Sequence, residues 1–296
     1  MIPLVTYILL FLTGIIAGIF GAALGLGGGV IMIPILTLIF HVPMHTAIAA
    51  SVVAVIATSS AAAIHYVSDR LSNIRLGMTL EIATTMGAII GGLLAAHSPD
   101  RVLRLVFAVF LAYTAIILAR GGEHQRGGRA EVAVSLDSGA GTAAAKAGSD
   151  DLGAWGDRFH DPSLGREVAY KVRNLPAGLG ASFIAGNLSG LLGVGGGLIK
   201  VPVMTLLMNV PFKAAAATSN FMIGVTAVAS AFIYYSEGLV NPLITSAVAL
   251  GVFAGATFGA GWAPKLSSRL LVQVFSVVLV AEALLMSAQA LGLPIR

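Results

Sequence analysis

The chain repeats itself. Gly25 to Pro34 read GLGGGVIMIP and Gly193 to Pro202 read GVGGGLIKVP, so a glycine triplet and a proline recur at one spacing 168 residues further on. The same offset runs through most of a half without a gap. Gly18 falls on Gly186, Pro43 on Pro211, Ser51 on Ser219, Tyr66 on Tyr234, Asn73 on Asn241, Gly87 on Gly255 and Gly91 on Gly259. A duplication of this length requires a fold assembled from two like units, and any site at their junction draws on both copies.

Hydrophobic residues make up 57% of the chain and charged residues 10%, against about 25% charged in a soluble domain. The units are therefore membrane-embedded. Eight of the 13 acidic and seven of the 17 basic residues fall between Gly121 and Arg173. This divides the chain into a first membrane repeat (1–120), a flexible cytoplasmic linker (121–173) and a second membrane repeat (174–296). The linker is rich in Gly, Ala, Ser and Asp without apolar periodicity, although Trp155 and Phe159 suit a short segment folded back onto the membrane surface. Zero cysteines exclude disulfides, thiolate metal sites and cysteine nucleophiles. The net charge of +4 is the arithmetic of basic loops beside few acids and does not point to nucleic acid. The first apolar run has no Lys or Arg before it, unlike a secretory signal, and reads as a retained first helix.

Apolar runs cover about 4–24, 30–40, 44–67, 76–96 and 103–119, matched in the second copy at about 177–192, 198–210, 214–235, 242–264 and 270–291. A crossing helix needs about 20 residues, and 30–40 would extend only about 16 Å. Each short run then marks a broken or re-entrant element, giving five crossings per repeat if every run spans, or three if the first two form a hairpin. Either count is odd, so the expected fold is an all-α integral membrane protein of two inverted repeats. Charge placement agrees, with Arg70, Arg75, Arg120, Lys213, Lys265 and Arg269 on the linker side and Arg101, Arg104 and Lys200 opposite.

Glycine weakens a helix interior by about 1 kcal/mol relative to alanine, so triplets in apolar segments call for a reason. Unwinding at Gly27, Gly28 and Gly29 and at Gly195, Gly196 and Gly197 would aim backbone N–H groups and a helix N-terminus at an anion. Close packing through small residues is the alternative. Neither copy ends in Gly-Lys-Ser/Thr, which excludes a phosphate-binding nucleotide loop. The helix after each short run supplies Ser51 in one copy and Thr218, Ser219 and Asn220 in the other. These either line a site, Ser51 facing Ser219 across a pseudo-twofold axis, or bond back to their own helix. Lys200 replaces Met32 of the first copy, as a snorkelling interfacial charge or as the counter-charge of an anion. Glu81 and Glu282 suit either an interfacial position, the favoured reading, or proton coupling. His41 and His45 have no third ligand nearby, so neither metal nor cofactor is expected.

The paired GLGGGVIMIP and GVGGGLIKVP, with VPFKAAAATSNFMIGVTA following the second, resemble the TauE/SafE family of sulfite exporters. The resemblance covers 4–119 and 176–291 and excludes the linker, which is longer than the family would suggest. It implies transport of a small sulfur-containing anion, such as sulfite or sulfoacetate, across a bacterial cytoplasmic (inner) membrane, with export as the direction. Alternating access between the repeats is the expected mechanism, with protons as a candidate coupling ion and a homodimer as a candidate assembly. A passive anion channel and an importer of a sulfur compound are the rival readings. An enzyme is not expected, because no nucleophile, acid–base pair or metal cluster lies in the apolar segments.

Overall fold

The computed structural model describes residues 4–24, 27–68, 71–114, 154–161, 166–262 and 280–288. Helices are α1 (Leu4–Leu24), α2 (Gly29–Pro34), continued by a π-helical turn over Ile35–Ile39, α3 (Met44–Ser68), α4 (Ile74–His97) and α5 (100–114). Strands β1 (Asp157–Asp161) and β2 (Arg166–Tyr170) follow, then α6 (Leu175–Leu192), α7 (Gly197–Leu206), α8 (Phe212–Ser236), α9 (Pro242–Trp262) and α10 (280–288). Six of these helices, α1, α3, α4, α6, α8 and α9, are long and apolar enough to cross a membrane. The protein is an all-α multi-pass membrane protein to which one small hairpin is added. The ends of the expected fifth run of each copy lie outside the described residues.

The duplication is visible element by element. At an offset of 168, α3 (44–68) falls on α8 (212–236), and Ile74, the start of α4, falls on Pro242, the start of α9. Asn73 caps α4 by accepting the Leu76 N–H on Oδ1 at 2.9 Å, and Asn241 accepts the Ile244 N–H at 3.3 Å. His41 and Asn209, also counterparts, are both left-handed (φ 53° and 59°) in the turns that follow the two short helices.

The halves interlock. α1 of the first packs along α9 of the second, and α4 of the first along α6 of the second, as the two most extensive helix contacts. Both depend on glycines that admit a neighbouring backbone. A methyl group at Gly255 would land on the Ile15 carbonyl and one at Gly87 on the Phe183 carbonyl, and these two contacts are themselves counterparts. Contacts also fix direction: Phe11, Ile15 and Ile19 meet Gly251, Gly255 and Gly259 in rising order, so α1 and α9 run the same way. Thr84 and Ala88 meet Gly186 and Gly190, so α4 and α6 do too. Asn73, Glu81 and Gly92 meet Thr218, Thr226 and Ile233, which makes α8 parallel to α4 as well. The outward faces carry Val5, Ile82, Phe232 and Phe258, all exposed as lipid-facing side chains must be.

One expectation is corrected. The flexible-linker reading of 121–173 gives way only over its described part, where strands 157–161 and 166–170 form an antiparallel hairpin in which Phe159 pairs with Val168; 121–153 and 162–165 lie outside the described residues. Phe159 and Tyr170 are buried, edge to face at 6.4 Å, in a cluster with Leu76, Leu80, Met204, Met208 and Met222. Asn73 Nδ2 donates to the Trp155 carbonyl at 2.8 Å and the Tyr170 hydroxyl at 3.1 Å, and Arg75 donates to the Ala154 carbonyl at 3.0 Å. Burial pushes the Tyr170 phenol up to about 12. The hairpin thus closes over the ends of α4 and α8, whereas Asn241, at the counterpart position, is exposed.

A residue that must admit a backbone carbonyl cannot branch. Gly255→Val should therefore remove most of the properly folded protein in detergent, whereas Gly180→Ala, with nothing within 4 Å of the added carbon, should leave thermal unfolding unchanged or raise it. Equal behaviour of the two would contradict the interlocking contact.

Candidate functional site

The glycine triplets adopt one conformation twice. Gly27 and Gly28 have φ of 76° and 69°, Gly195 and Gly196 have 77° and 70°, and the third glycine of each triplet opens α2 or α7. Left-handed backbone at two successive positions is readily available only to glycine, which accounts for the repeated motif. The two loops come together. Val55 of α3 and its counterpart Ile223 of α8 both touch Gly27 and Gly195, and a methyl at Gly29 would lie 2.5 Å from the Gly193 carbonyl. The centre of the protein is therefore a meeting of two glycine loops across the α3/α8 crossing, where Ser59 donates to the Asn220 carbonyl at 2.5 Å.

The hydroxyls are arranged differently from the expectation that Ser51 and Ser219 face each other. Each lies four residues before the crossing pair Val55 and Ile223. With the two helices running oppositely, that separates them by about 12 Å along the axes. Ser51 Oγ instead donates to the Gly193 carbonyl at 2.6 Å and fastens the second glycine loop. Gly25, the counterpart of Gly193, lies outside the described residues. Ser219 Oγ and Asn220 Nδ2 are buried and have no hydrogen-bond partner among the described residues. A buried polar group normally has one, so these two atoms, on the helix that touches both loops through Ile223, are unsatisfied.

Lys200 does not snorkel. It is 2% exposed and reaches from the first turn of α7 to α8 and α4, donating to Thr226 Oγ1 at 3.0 Å with its ammonium 3.8 Å from Glu81 Oε2. Glu81, favoured as interfacial, is 3% exposed, and Glu282 is buried too. Thr226 and Thr85 donate to Glu81 Oε1 at 2.6 and 3.1 Å, while Glu81 Oε2 accepts no hydrogen bond. Of the two readings of Lys200, the snorkelling one does not hold, and Glu81, favoured as interfacial, lies buried beside that ammonium. A signal for it existed. At an offset of 168, Lys200 falls on Met32, Glu81 on Ala249 and Thr226 on Thr58, so each of the two opposite charges, one from each half, has an apolar residue as its counterpart.

His45 engages Asp100 at 2.5 Å and the Ala95 and Ser98 carbonyls, tying the start of α3 to the α4–α5 corner. A cleft of about 240 Å³ beside the α3/α8 crossing is lined by Ile56, Ser59, Phe221 and Gly224 among others, and by none of the residues singled out from the sequence.

The counterpart of Lys200 does without charge, since Met32 is fully buried there. Glu81→Ala alone strands a buried ammonium and should lower stability in detergent by about 3 kcal/mol. Lys200→Met together with Glu81→Ala installs the residues of the counterpart positions and should return stability to within about 1 kcal/mol of the parent. A double variant as unstable as the single one would show that the pair is structural.

A family model described as "Sulfite exporter TauE/SafE" matches residues 10–286. The probable membrane transporter protein YunE of Bacillus subtilis is 25% identical over 282 residues, covering 93% of this chain and 95% of the relative. The probable membrane transporter protein YdhB of the same organism is 24% identical, covering 86% and 87%. A probable membrane transporter protein of Methanocaldococcus jannaschii is 23% identical, covering 92% and 91%. No solved structure matches the chain significantly.

Proposed function

Because the chain belongs to the TauE/SafE family of membrane transporters, we propose that its cargo is a small sulfur-containing anion, sulfite or a sulfonate, carried across the inner membrane by alternating access. The observation that carries this reading is the meeting of two glycine loops beside orphaned, buried polar atoms on one helix. Left-handed turns at Gly27, Gly28, Gly195 and Gly196 turn the chain into α2 and α7 at Gly29 and Gly197. The first N–H groups of those helices have no intrahelical acceptor and suit a tetrahedral oxyanion. Asn220 Nδ2 and Ser219 Oγ supply directional donors, Ser51 holds the second loop in place, and Lys200 supplies the positive charge.

The moving parts in this reading are the two halves, arranged as inverted repeats. Helix direction supports the inversion. α4 follows α3 across a connection of five residues (69–73), so two spanning helices there run oppositely. Since α8 is parallel to α4, it is antiparallel to α3, its own counterpart. The same relation places the hairpin at the end where α4 and α8 begin, on the cytoplasmic side if the linker is cytoplasmic. Export is the direction suggested by the family description alone.

Purified protein in proteoliposomes should give saturable uptake of at least one of sulfite, thiosulfate, sulfate, taurine and sulfoacetate. Asn220→Leu should raise the half-saturating concentration tenfold or more without lowering the unfolding temperature. Absence of flux for the whole panel would overturn the substrate class, and a non-saturating conductance would replace the transporter by an anion channel.

A further inference from the structure

Lys200, Thr226 and Glu81 form a buried group that the fold does not require and that anion recognition alone does not explain. Backbone recognition could use the glycine loops alone, and an isolated lysine would suffice as a counter-charge. The chain instead opposes that lysine with a carboxylate at 3.8 Å, beyond hydrogen-bond length, and leaves Glu81 Oε2 without a donor. The counterpart positions, Met32 on α2, Thr58 on α3 and Ala249 on α9, carry no charge. A charge inside hydrocarbon is expensive and marks an ion pathway more often than a structural tie.

We propose that Glu81 is the proton-coupling residue of this transporter, and that a proton on Glu81 frees Lys200 to hold the substrate anion, so that one proton crosses with each monoanion. The inference rests on the anion-transport reading above.

Hydrogen-bond geometry serves both states. With Glu81 ionised, the Thr226 hydroxyl donates to Oε1 at 2.6 Å. With a proton on Oε1, the carboxyl donates to Thr226 Oγ1, and the hydroxyl turns to the Met222 carbonyl, already 3.0 Å away. Neither state strands Thr226. Charge is balanced in both: the empty site holds Lys200 ammonium and Glu81 carboxylate, and the loaded site holds the ammonium, a neutral carboxyl and the anion. Each sums to zero. An anion bound without its proton leaves one net negative charge, and a proton bound without its anion leaves one net positive charge, so the low-dielectric interior disfavours both uncoupled crossings.

The site is near the loops. Gly195 touches Ile223, and Thr226 lies one turn, about 5 Å, further along α8. Among the described side chains of α4, α6, α7 and α8, no competing group lies at that level. On α4 the other titratable or charged residues are Arg75 and His97, exposed at its two ends. On α8 they are Lys213 in the first turn, Tyr234, whose hydroxyl donates to the Gly190 carbonyl, and exposed Tyr235. Neither α6 nor the rest of α7 carries any, and Tyr170 of the hairpin sits at the Asn73 end.

The test loads proteoliposomes with a pH-sensitive dye and imposes an inward gradient of sulfite or of methanesulfonate, which brings no titratable proton of its own. Wild type should acidify the lumen in step with methanesulfonate entry, and its flux should rise as pH falls. In Glu81→Gln, anion exchange should lose its pH dependence, and proton entry should fall at least tenfold. Lys200→Met with Glu81→Ala, which leaves no buried charge unpaired, should lose coupled flux. Anion flux without proton movement in wild type, or undiminished proton movement in Glu81→Gln, overturns the coupling role while leaving the transport reading intact. Absence of flux for both anions removes the transport reading for them and the coupling inference with it.

Discussion

The structure depends on helices brought close enough for one backbone to enter the other's side-chain layer. Apolar side chains gain nothing by leaving lipid for protein, so association in the membrane relies on close packing and interhelical hydrogen bonds. Gly87 and Gly91 on α4, Gly186 on α6 and Gly255 and Gly259 on α9 supply the closeness, each facing a carbonyl of the opposite half, and Gly87 with Gly255 and Gly91 with Gly259 are counterparts. Because α1 belongs with α9 and α4 with α6, neither half completes its packing alone. The glycine loops and the α3/α8 crossing follow from that exchange, since it brings equivalent segments of the two halves to one place.

Within this near-symmetric frame the chemistry is one-sided. Lys200 and Glu81 replace Met32 and Ala249, and Asn220 replaces Val52. The hairpin over Asn73 covers one end, and Asn241 at the counterpart position is exposed. In the proposed reading, a duplicated backbone cradle would bind a charge from either half equally, whereas a single ammonium and a single amide would give the cargo one orientation. Recognition and coupling, in that reading, use these unpaired residues, which come from both halves: Glu81 from the first, Lys200 and Asn220 from the second.

Much of the frame was legible in the sequence because the duplication is ungapped and hydrophobic length has a simple physical meaning. The start of α3 and the short, interrupted second element of each half could be read directly. The depth of Glu81 could not. Its distance from the helix start suggested an interfacial position, but that measures depth only when the helix begins at water. Here Asn73, Trp155 and Tyr170 cap and cover the end. The hairpin itself was hidden by composition: it has few inward apolar residues, among them Phe159, Val168 and Tyr170, and its core is supplied by α4, α7 and α8. Ser51 illustrates a different gap. Its residue type indicated a polar role, but only the fold shows that its hydroxyl holds the Gly193 carbonyl.

The central claim is that equivalent segments of the two halves point in opposite directions across the membrane, and the absence of cysteine makes it directly measurable. His41 and Asn209 are counterparts, both exposed in left-handed turns just before α3 and α8. Single variants His41→Cys and Asn209→Cys in intact cells should react with a membrane-impermeant maleimide from opposite sides, one before lysis and the other only after it. Labelling of both from the same side would contradict the inverted arrangement and the alternating-access account built on it.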